Sequence, residues 1–400
     1  MESLESALKI LLEHAGTPTE TQELPLIEAL HRVAAEDVTS PVAVPPFDRS
    51  PLDGYALHSE DIAGASREHP ARLRVIGEAC AGCGEVFHPA RGEAVRVMTG
   101  APVPKECDCV IRQEDTDEGM DWAEMYAPVG HGKNICWAGE DLTLGAVLVH
   151  AGEELTATHL AVLASAGVTR VKVYRRVRVA LLCTGDELVQ PGQPLPFGKI
   201  YDSNRTALTA RLLELGAELV ELGEAPDDPA QVAALLKDAA AKADVILTTG
   251  GVSVGKKDIF HQVLPLMGAE RLFWRVAMKP GSPLLCGMYA GKLLICLSGN
   301  PFGALCCFEV FAVPVLKHLG GYRDVASRRV RTRVRGSFPK ASHGRRLIRA
   351  AFDGMAVTPA AGNHSSGSLS ANIGCNCLIE IPAGTSEVRR GDQVSVVLFA

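Results

Sequence analysis

Residues 245–258 read VILTTGGVSVGKKD, an apolar run that opens into a glycine-rich turn and closes on charged residues. The first four residues are typical of a buried strand, the adjacent glycines allow a tight turn, and Asp258 can cap a following helix. Bared peptide N–H groups, the helix dipole and the two lysines before Asp258 all favour a phosphate or another oxyanion. Such a turn can equally be a plain strand-to-helix connection, so the rest of the chain must decide.

The composition indicates a modular, ordinary soluble protein. With 400 residues, 47% hydrophobic and 22% charged, the chain predicts two to four domains. Its formal net charge of -7 argues against general binding to nucleic acid or to an anionic membrane, so an anion site needs local positive charge. Residues 1–16 predict an amphipathic helix rather than an export signal, and no apolar run approaches the roughly 20 residues that span a bilayer. We therefore expect a cytoplasmic protein.

The 12 cysteines raise the question of a metal site. Cys80 and Cys83 have C-x-x-C spacing, but zinc needs two further ligands at matching spacing and no second such pair exists. Most other cysteines lie in apolar runs, where a thiol behaves as a small hydrophobic group. We expect reduced, buried thiols rather than a structural zinc site.

The first half of the chain predicts helical segments followed by a β-rich domain. Residues 24–38 have apolar residues at helical spacing and predict a second short helix, and the prolines that follow indicate a domain boundary. Residues 58–130 alternate short β-like runs with Gly and Pro turns, which is typical of a small β-rich domain. Asp53 fits ordinary turn chemistry, and Thr99 fits a local side-chain to backbone bond, so neither is a site residue on this pattern alone.

From residue 177 strands alternate with helices, the signature of a parallel α/β sheet. The predicted strands cover residues 177–183, 218–222, 245–248, 271–278 and 293–297, and the predicted helices cover residues 204–215 and 229–241. Ligands of such sheets bind outside the carboxyl ends of the strands, so the residues that follow the strands should share one rim. These are Glu187, Asp227, residues 250–258, Lys279 and residues 298–301. Carboxylates beside glycine turns and lysines favour a divalent ion that holds an anionic ligand. The alternative for Asp258 is that it simply caps its own helix.

The last third predicts a buried helix and a barrel. Residues 301–319 are apolar and helical in pattern, with a kink possible at Pro314. Residues 329–400 consist of alternating strands with Gly turns, which predict a small β-barrel. The polar loop 362–372 has the composition of an ordinary exposed loop, unless it reaches the site.

Seven motifs occur in the order FDRSPLDGYAL, MTGAPVP, TGDEL, YDSNR, GGVSVGKKD, KPGSP and SGNP. In this order they resemble the molybdopterin molybdenumtransferases, enzymes similar to the gephyrin E domain, over nearly the whole chain. The resemblance implies an elongated linker domain (residues 1–42 and 143–176), a small mixed β-rich domain (43–142), a molybdopterin-binding open α/β sheet domain (177–321) and a C-terminal β-barrel (322–400). It also implies a homodimer whose active site lies between the α/β domain of one subunit and the small domain of the other.

The reaction that the resemblance implies takes adenylylated molybdopterin and molybdate, with Mg²⁺ or Zn²⁺, and gives molybdenum cofactor and AMP. A molybdopterin adenylyltransferase is then an expected partner. The matching catalytic positions are Asp53, Thr99, Asp141, Glu187, Asp258 and Lys279. The matching cofactor-binding positions are Gly250, Gly251, Ser253, Arg275, Asn300 and Pro301. The matching metal positions are Glu187, Asp227 and Asp258. Lys279 would neutralise charge on phosphate or molybdate oxygens.

Four positions depart from the family pattern. Cys136 stands where an arginine is usual, Ser282 replaces a basic residue, Ser298 replaces a proline and Arg275 replaces a lysine. Losing two cations should weaken oxyanion binding by roughly a few kcal/mol if both are desolvated. Reduced activity, a preference for tungstate or a divergent paralogue therefore stay open.

Two other functions compete with molybdate insertion. Adenylylation of molybdopterin uses a related α/β domain, but that domain stands alone or is fused, so the additional domains here favour insertion. A non-catalytic scaffold of the same fold is the second alternative. Asp53, Glu187, Asp258 and Lys279 favour chemistry over scaffolding.

Overall fold

The computed structural model describes residues 1–82, 84–222, 227–252, 259–341, 344–362 and 364–399. The chain begins with the helix Leu4–His14, which starts at Ser3, where the Ser3 hydroxyl accepts a hydrogen bond from the N–H of Ser6 at 3.0 Å. Its buried face, which includes Leu4 and Leu11, packs on the core of the α/β sheet. The amphipathic helix predicted at the N-terminus is therefore present.

The helix predicted for residues 24–38 is wrong. The strand Thr21–Pro25 pairs antiparallel with the strand Arg170–Tyr174, and only the short 3₁₀ segment Leu26–Ala29 follows it. Leu24 and its apolar neighbours pack on a small core beneath the helix Ala157–Ser165. Pairing with a strand almost 150 residues away overrides the local helical spacing. Nearby, Val38–Thr39 pairs with Val147–Val149, so the linker region combines two separate chain segments.

The small domain is built on a five-stranded sheet. In spatial order its strands are Cys109–Arg112, Gly54–Leu57, Glu93–Val97, Ala71–Ala79 and Trp122–Met125. Tyr55 and Leu57 point into one core, whereas Ala56 between them belongs to a second core. Because side chains alternate across a strand, the sheet has a hydrophobic core on each face. The β-rich domain is present as predicted.

The α/β domain is built on a six-stranded sheet with Val245–Thr249 at its centre. In spatial order the strands are Glu218–Val220, Arg178–Cys183, Val245–Thr249, Lys292–Leu297, Leu285–Tyr289 and Glu270–Trp274. The first four strands run parallel, and the pairings of the last two are antiparallel. The helices are Ser203–Glu214, Pro229–Lys242, Phe260–Met267 and the long segment that begins at Pro301. The open α/β sheet is therefore present, but it is mixed rather than wholly parallel as the alternation of strands and helices predicts.

Both faces of this sheet are covered by helices. Val245 and Leu247 face the core that contains Leu208 and Leu212 of the helix Ser203–Glu214. Ile246, which points the other way, belongs to the core beneath the helices Pro229–Lys242 and Phe260–Met267. A continuous apolar strand is what burial on two faces requires.

The long apolar helix is interrupted before Pro314. It consists of α-helical turns over Pro301–Cys307, a π-helical turn over Phe308–Ala312 and α-helical turns over Val313–Leu319. Pro314 lacks an N–H, so the regular hydrogen-bond ladder cannot continue through it. Among the described residues, Pro301–Leu319 is the one helix that is long and apolar enough to cross a membrane, with 19 residues and mean hydropathy 1.6, but 78% of its most apolar window is buried inside the protein. It is therefore a core helix over the range predicted for it, but the expectation that no apolar run approaches the length of a bilayer span is wrong.

The C-terminal domain is a closed barrel of five strands. The strands are Arg329–Val334, Arg345–Phe352, Ala356–Pro359, Cys377–Ile381 and Gln393–Leu398. Arg345–Phe352 pairs with both Ala356–Pro359 and Cys377–Ile381, which closes the ring. The predicted β-barrel is confirmed.

One short strand joins the α/β domain to the barrel. The single strand predicted for residues 271–278 is split into Glu270–Trp274 and Met278–Lys279. Arg275 lies between them with a φ of +71°, which ends the first strand. Met278–Lys279 then pairs parallel with the barrel strand Arg345–Phe352. Lys279 is thereby fixed against Arg346 rather than at the end of an α/β strand.

Candidate functional site

Three loops of the small domain, distant in sequence, meet at one place. The backbones of Arg49 and Cys136 exchange two hydrogen bonds of 2.9 Å. The N–H of Ser50 donates to the carbonyl of Ala101 at 2.9 Å. The motifs FDRSPLDG, MTGAPVP and NICWAGED therefore form one surface.

Asp53 and Thr99 lie in direct contact on this surface. The carboxylate Oδ1 of Asp53 accepts hydrogen bonds from the N–H of Thr99 at 2.6 Å and from its hydroxyl at 2.8 Å. These two bonds lower the pKa of Asp53, with the backbone bond as the larger cause. Thr99 therefore bonds a residue 46 positions away, not its own turn. The pair presents an ionised carboxylate held in one orientation.

Asp48 is a neighbouring carboxylate that the sequence patterns did not select. Its Oδ1 accepts from the N–H of Ala138 at 2.8 Å, and its backbone carbonyl accepts from the N–H of Val103 at 2.9 Å. Asp48 thus fixes two loops relative to each other.

Asp141, the third predicted catalytic residue of the small domain, is exposed. Its N–H donates to the carbonyl of Val44 at 3.1 Å.

At the rim of the α/β sheet, glycines let three loops approach closely. Gly250 has a φ of +94°, and a Cβ at this position would lie 2.3 Å from the carbonyl oxygen of Thr184. A Cβ on Gly299 would lie 3.3 Å from the Cα of Gly250. The loops after the strands ending at Cys183, Thr249 and Leu297 therefore converge. Glycine is required here by contact as well as by conformation.

Asn204 of the YDSNR motif ties this rim together. Its side-chain amide donates to the Thr249 hydroxyl at 2.9 Å and to the Gly299 carbonyl at 2.8 Å. The Thr249 hydroxyl in turn donates to the carbonyl of Ser298 at 3.0 Å. Asn204 was not selected as a site residue, although its motif contributed to the resemblance.

Acidic residues join the loops after the first two strands. The N–H of Asp186 donates to the carboxylate of Asp227 at 3.2 Å, and the N–H of Asp227 donates to the carboxylate of Asp186 at 3.3 Å. Lys199 donates to the carbonyl of Asp186. Asp227 therefore lies on the predicted rim, next to a carboxylate that the sequence patterns did not select. Glu187 is exposed beside this pair.

The third predicted metal ligand cannot be placed. Asp258 and Ser253, together with Lys256 and Lys257, lie outside the described residues. Within the described ranges, no group of three or more His, Cys, Asp or Glu side chains is arranged to hold a metal ion. The 11 described cysteines are free thiols.

Lys279 lines a cavity of about 640 Å³ between the α/β domain and the barrel. The polar side chains around it are Lys279, Ser282, Ser298, Asn300, Lys340, Arg346, His364, Ser365 and Ser366. Three of these side chains are cationic, and no carboxylate is among the described residues that line the cavity. Cations with hydroxyl and amide groups and no competing acid form a binding site suited to an oxyanion.

The polar loop of the barrel reaches this cavity, which settles the alternative left open for residues 362–372. The carbonyl of Ser366 accepts from the N–H of Phe302 at 2.9 Å. The fully buried guanidinium of Arg349 donates to the carbonyls of Ser365 at 2.9 Å and Ser368 at 2.6 Å. The loop is thus fixed against the helix that follows the SGNP motif.

Comparisons with known proteins agree along the whole chain. The MoeA N-terminal region (domain I and II) matches residues 2–167, a probable molybdopterin binding domain matches residues 180–318, and the MoeA C-terminal region (domain IV) matches residues 331–399. A molybdopterin molybdenumtransferase of Haemophilus influenzae is 35% identical over 100% of this chain and 99% of its own length. The chain belongs to the molybdopterin molybdenumtransferase family.

Other members of the family support this assignment. A molybdopterin molybdenumtransferase of Bacillus subtilis is 36% identical over 96% of this chain and 91% of its own length. The crystal structure of a molybdopterin biosynthesis moea protein from Pyrococcus horikosii superimposes with a TM-score of 0.87 at 33% identity, covering 100% of this chain and 99% of that one. Sequence and architecture therefore give the same family.

Two of the four departures from the family pattern face the cavity of Lys279. Ser282 lines it, and the backbone carbonyl of Ser282 accepts from the N–H of Val276 at 3.0 Å. Ser298 is buried, and its hydroxyl accepts from the N–H of Asn300 at 3.3 Å. Ser298 therefore orients the turn before Pro301, the first residue of its helix.

The other two departures lie outside this cavity. Burial is the main cause that raises the pKa of the Cys136 thiol, and Glu140 adds to it, so the thiol is neutral where members of this family usually have an arginine. The Arg275 guanidinium lies over the ring of Trp274 at 5.5 Å, and Trp274 donates to the carbonyl of Val252 at 3.4 Å. Arg275 is thus connected through Trp274 to the central glycine loop.

A larger cavity of about 1160 Å³ lies between the helix Leu4–His14 and the barrel. None of the predicted site residues that the structure describes lines it, and ion pairs of Arg345 with Glu5 and Glu380 cross it. Volume alone does not identify a site of chemistry. The KPGSP and SGNP motifs lie at the smaller cavity, and the TGDEL and YDSNR motifs lie at the neighbouring rim.

Proposed function

We propose that the protein inserts molybdate into adenylylated molybdopterin and releases AMP and molybdenum cofactor. The observation that carries this proposal is the cavity at the KPGSP and SGNP motifs, where Lys279, Lys340 and Arg346 meet without a described carboxylate. Fixed positive charge and hydroxyl donors are what a tetrahedral dianion requires, and they stabilise it best when they are preorganised. Full-length similarity to proteins named molybdopterin molybdenumtransferase supports the same reaction.

The rim of the α/β sheet is proposed to hold the phosphates of the pterin substrate. The proposed contacts are Gly250, Gly251, Ser253, Arg275, Asn300 and Pro301. Close approach of the loops around Gly250 supports this role, because glycines without a Cβ let backbone N–H groups come close to a phosphate.

A divalent cation, Mg²⁺ or Zn²⁺, is proposed to bind at Glu187, Asp227 and Asp258. Asp227 is paired with the neighbouring Asp186, which places two carboxylates on adjacent loops and fits part of such a ligand set. When bound, the cation would neutralise charge on the phosphates.

The proposed chemistry balances without a redox step. A phosphorus–oxygen bond of the phosphoanhydride breaks, and water supplies the oxygen that completes the released phosphate. The two dithiol sulfurs bind molybdenum, and their two protons leave with one molybdate oxygen as water. One water is thus consumed and one is formed. Lys279 would stabilise the negative charge of the oxyanion throughout.

Asp53, Thr99 and Asp141 are proposed to act on the same substrate from the small domain. They form a surface separate in the fold from the cavity of Lys279, and a homodimer would allow the two to face each other across subunits. The domain limits at residues 42, 142, 176 and 321, a cytoplasmic location and an adenylyltransferase partner that supplies the substrate belong to the same proposal.

The decisive test mixes the purified protein with adenylylated molybdopterin and either molybdate or tungstate, and measures AMP. We expect AMP release that depends on the oxyanion. An adenylylating enzyme would instead consume ATP with unmodified molybdopterin and form pyrophosphate. A scaffold would release no AMP with either oxyanion, and that result would overturn the proposal.

A further inference from the structure

His364 is a titratable side chain in the wall of the cavity around Lys279. Its ring stands edge-on to Phe338, with centroids 5.0 Å apart and an interplanar angle of 85°. The ring nitrogen Nδ1 is buried and has no hydrogen-bond partner among the residues that the structure describes. A buried polar atom without such a partner, in the wall of a cationic cavity, has a binding capacity that these residues do not use.

The charged side chains that line the cavity beside His364, or that shift its pKa, are all cations among the described residues. Lys279 comes from the joining strand, Lys340 from the loop before the second barrel strand, and Arg346 and Arg349 from that strand itself. Among the described residues that line the cavity there is no carboxylate to offset them. Coulomb repulsion from these cations would therefore disfavour the protonated form of the imidazole.

These surroundings lower the pKa of His364. Burial is the largest cause, and Arg349, Lys340 and Arg346 act in the same direction, while a hydrogen bond with the backbone of Ala360 opposes them. At neutral pH the imidazole is consequently uncharged in the empty cavity.

An anion in the cavity reverses this electrostatic balance. A dianion beside His364 stabilises the protonated imidazole by Coulomb attraction and so raises its pKa, whereas the neighbouring cations lower that pKa by repulsion. The proton would also convert Nδ1 into a second donor. The three cations bind the anion first, and the proton follows.

We infer that His364 is a ligand of the oxyanion, and that the cavity takes up a proton on His364 when it binds molybdate. This inference rests on the proposed function for the identity of the oxyanion. His364 then acts as a specificity-determining residue, because a divalent oxyanion gains more from the additional charge than a monovalent one does.

The direction of the pH dependence follows from linkage. Since binding raises the pKa of His364 above its lowered value in the empty cavity, affinity increases as pH falls through the range between the two values. Above that range the ring stays neutral in both states and the affinity is constant. Within it, the dissociation constant changes by at most about tenfold per pH unit.

The test is calorimetric titration of the full chain with sodium molybdate in buffers of different ionisation enthalpy, at about pH 6 and about pH 8. We expect proton uptake on binding, greater at the lower pH, together with tighter binding there. In His364→Gln the uptake and the pH dependence should both disappear, whereas binding at about pH 8 should persist. A purely structural role for His364 would weaken binding without changing the number of protons taken up.

A matched control is His69→Gln, which alters an exposed histidine of the small domain. It should take up as many protons as the unmodified protein. If His364→Gln fails to fold, the smaller change His364→Asn and the proton uptake of the unmodified protein still decide the question.

The inference is overturned if the unmodified protein binds molybdate without proton uptake, or if it binds no molybdate. It is also overturned if the His364 variant takes up as many protons as the unmodified protein takes up. AMP release is measured separately, so the two proposals can fail independently. AMP release without proton uptake removes only the role of His364. Proton-coupled binding without AMP release removes only the proposed reaction.

Discussion

The guanidinium of Arg349 stacks over the ring of Phe302, with 3.8 Å between the guanidinium carbon and the ring centroid. Arg349 belongs to a barrel strand, whereas Phe302 lies in the first turn of the long core helix of the α/β domain. The same guanidinium donates to the carbonyls of Ser365 and Ser368. One buried cation therefore connects the barrel, its polar loop and the helix next to the cavity.

Replacing Arg349 by lysine should loosen this connection. Lysine keeps the charge but has neither a planar face for stacking nor donors that reach two carbonyls in fixed directions. We expect the free energy of unfolding to fall by about 1–3 kcal/mol, as denaturant titration would measure. The KM for molybdate should rise more than kcat falls. Arg331→Lys, at an exposed position of the same barrel, is the control, and equal effects of the two changes would contradict a positioning role.

Lys279 is expected to contribute to oxyanion binding through its charge. In Lys279→Met the cavity loses one of its cations but keeps a side chain of similar length. A charge-assisted bond contributes about 1.5–3 kcal/mol, so the dissociation constant for molybdate should rise about 10- to 100-fold. Lys237→Met, on an exposed face of the helix Pro229–Lys242, should leave it unchanged. Unaltered binding in Lys279→Met would place the oxyanion elsewhere.

Sharing of the active site between subunits can be tested at low molybdate with two variants that each lose AMP release under that condition. Asp53→Asn removes the carboxylate charge on the small domain, and Lys279→Met alters the cavity. If each site combines the small domain of one subunit with the cavity of the other, a mixed dimer contains one intact site. Random mixing should then restore ~25% of the AMP release of the unmodified protein. No recovery in a verified mixed dimer would show that both groups act within one subunit.

Gly250 should not tolerate a side chain, whereas Gly291, a glycine that also has a positive φ, should tolerate one. A Cβ at Gly250 would lie 2.3 Å from the carbonyl oxygen of Thr184, while Gly291, with a φ of +76°, has open space around it. Both alanine variants carry the cost of a positive φ, about 1 kcal/mol, and only Gly250→Ala adds a backbone clash. The midpoint of thermal unfolding should therefore be clearly lower for Gly250→Ala than for Gly291→Ala. Gly250→Ala should also lose binding of the pterin substrate, and equal stability of the two variants would contradict the close approach at the rim.

The sequence predicts the fold best where a short apolar run forms a fully buried strand. The run at residues 245–248 predicts a buried strand, and Val245–Thr249 is fully buried at the centre of the sheet. The rule that ligands of such sheets bind outside the carboxyl ends of the strands then applies to the loops that follow them. That rule predicts that Asp227 and the glycine loop share one rim.

Long-range contacts explain what the sequence patterns missed. Residues 24–38 have helical spacing, yet Thr21–Pro25 is a strand because it pairs with Arg170–Tyr174. Arg346 reads as one of several alternating arginines of a barrel strand, and only its pairing with Lys279 brings it to the cavity. His364 lies in a loop of ordinary polar composition. Nothing local in these residues distinguishes a site residue from a surface residue.

The central claim is that this chain transfers molybdenum to the pterin as AMP leaves. It is tested most directly in a single turnover with adenylylated molybdopterin and molybdate, by quantifying both the AMP released and the molybdenum bound to the pterin product. We expect equal amounts of the two, and no molybdenum in the product formed by Lys279→Met at low molybdate. AMP release that leaves the pterin without molybdenum would contradict the account, because the protein would then be a phosphoanhydride hydrolase.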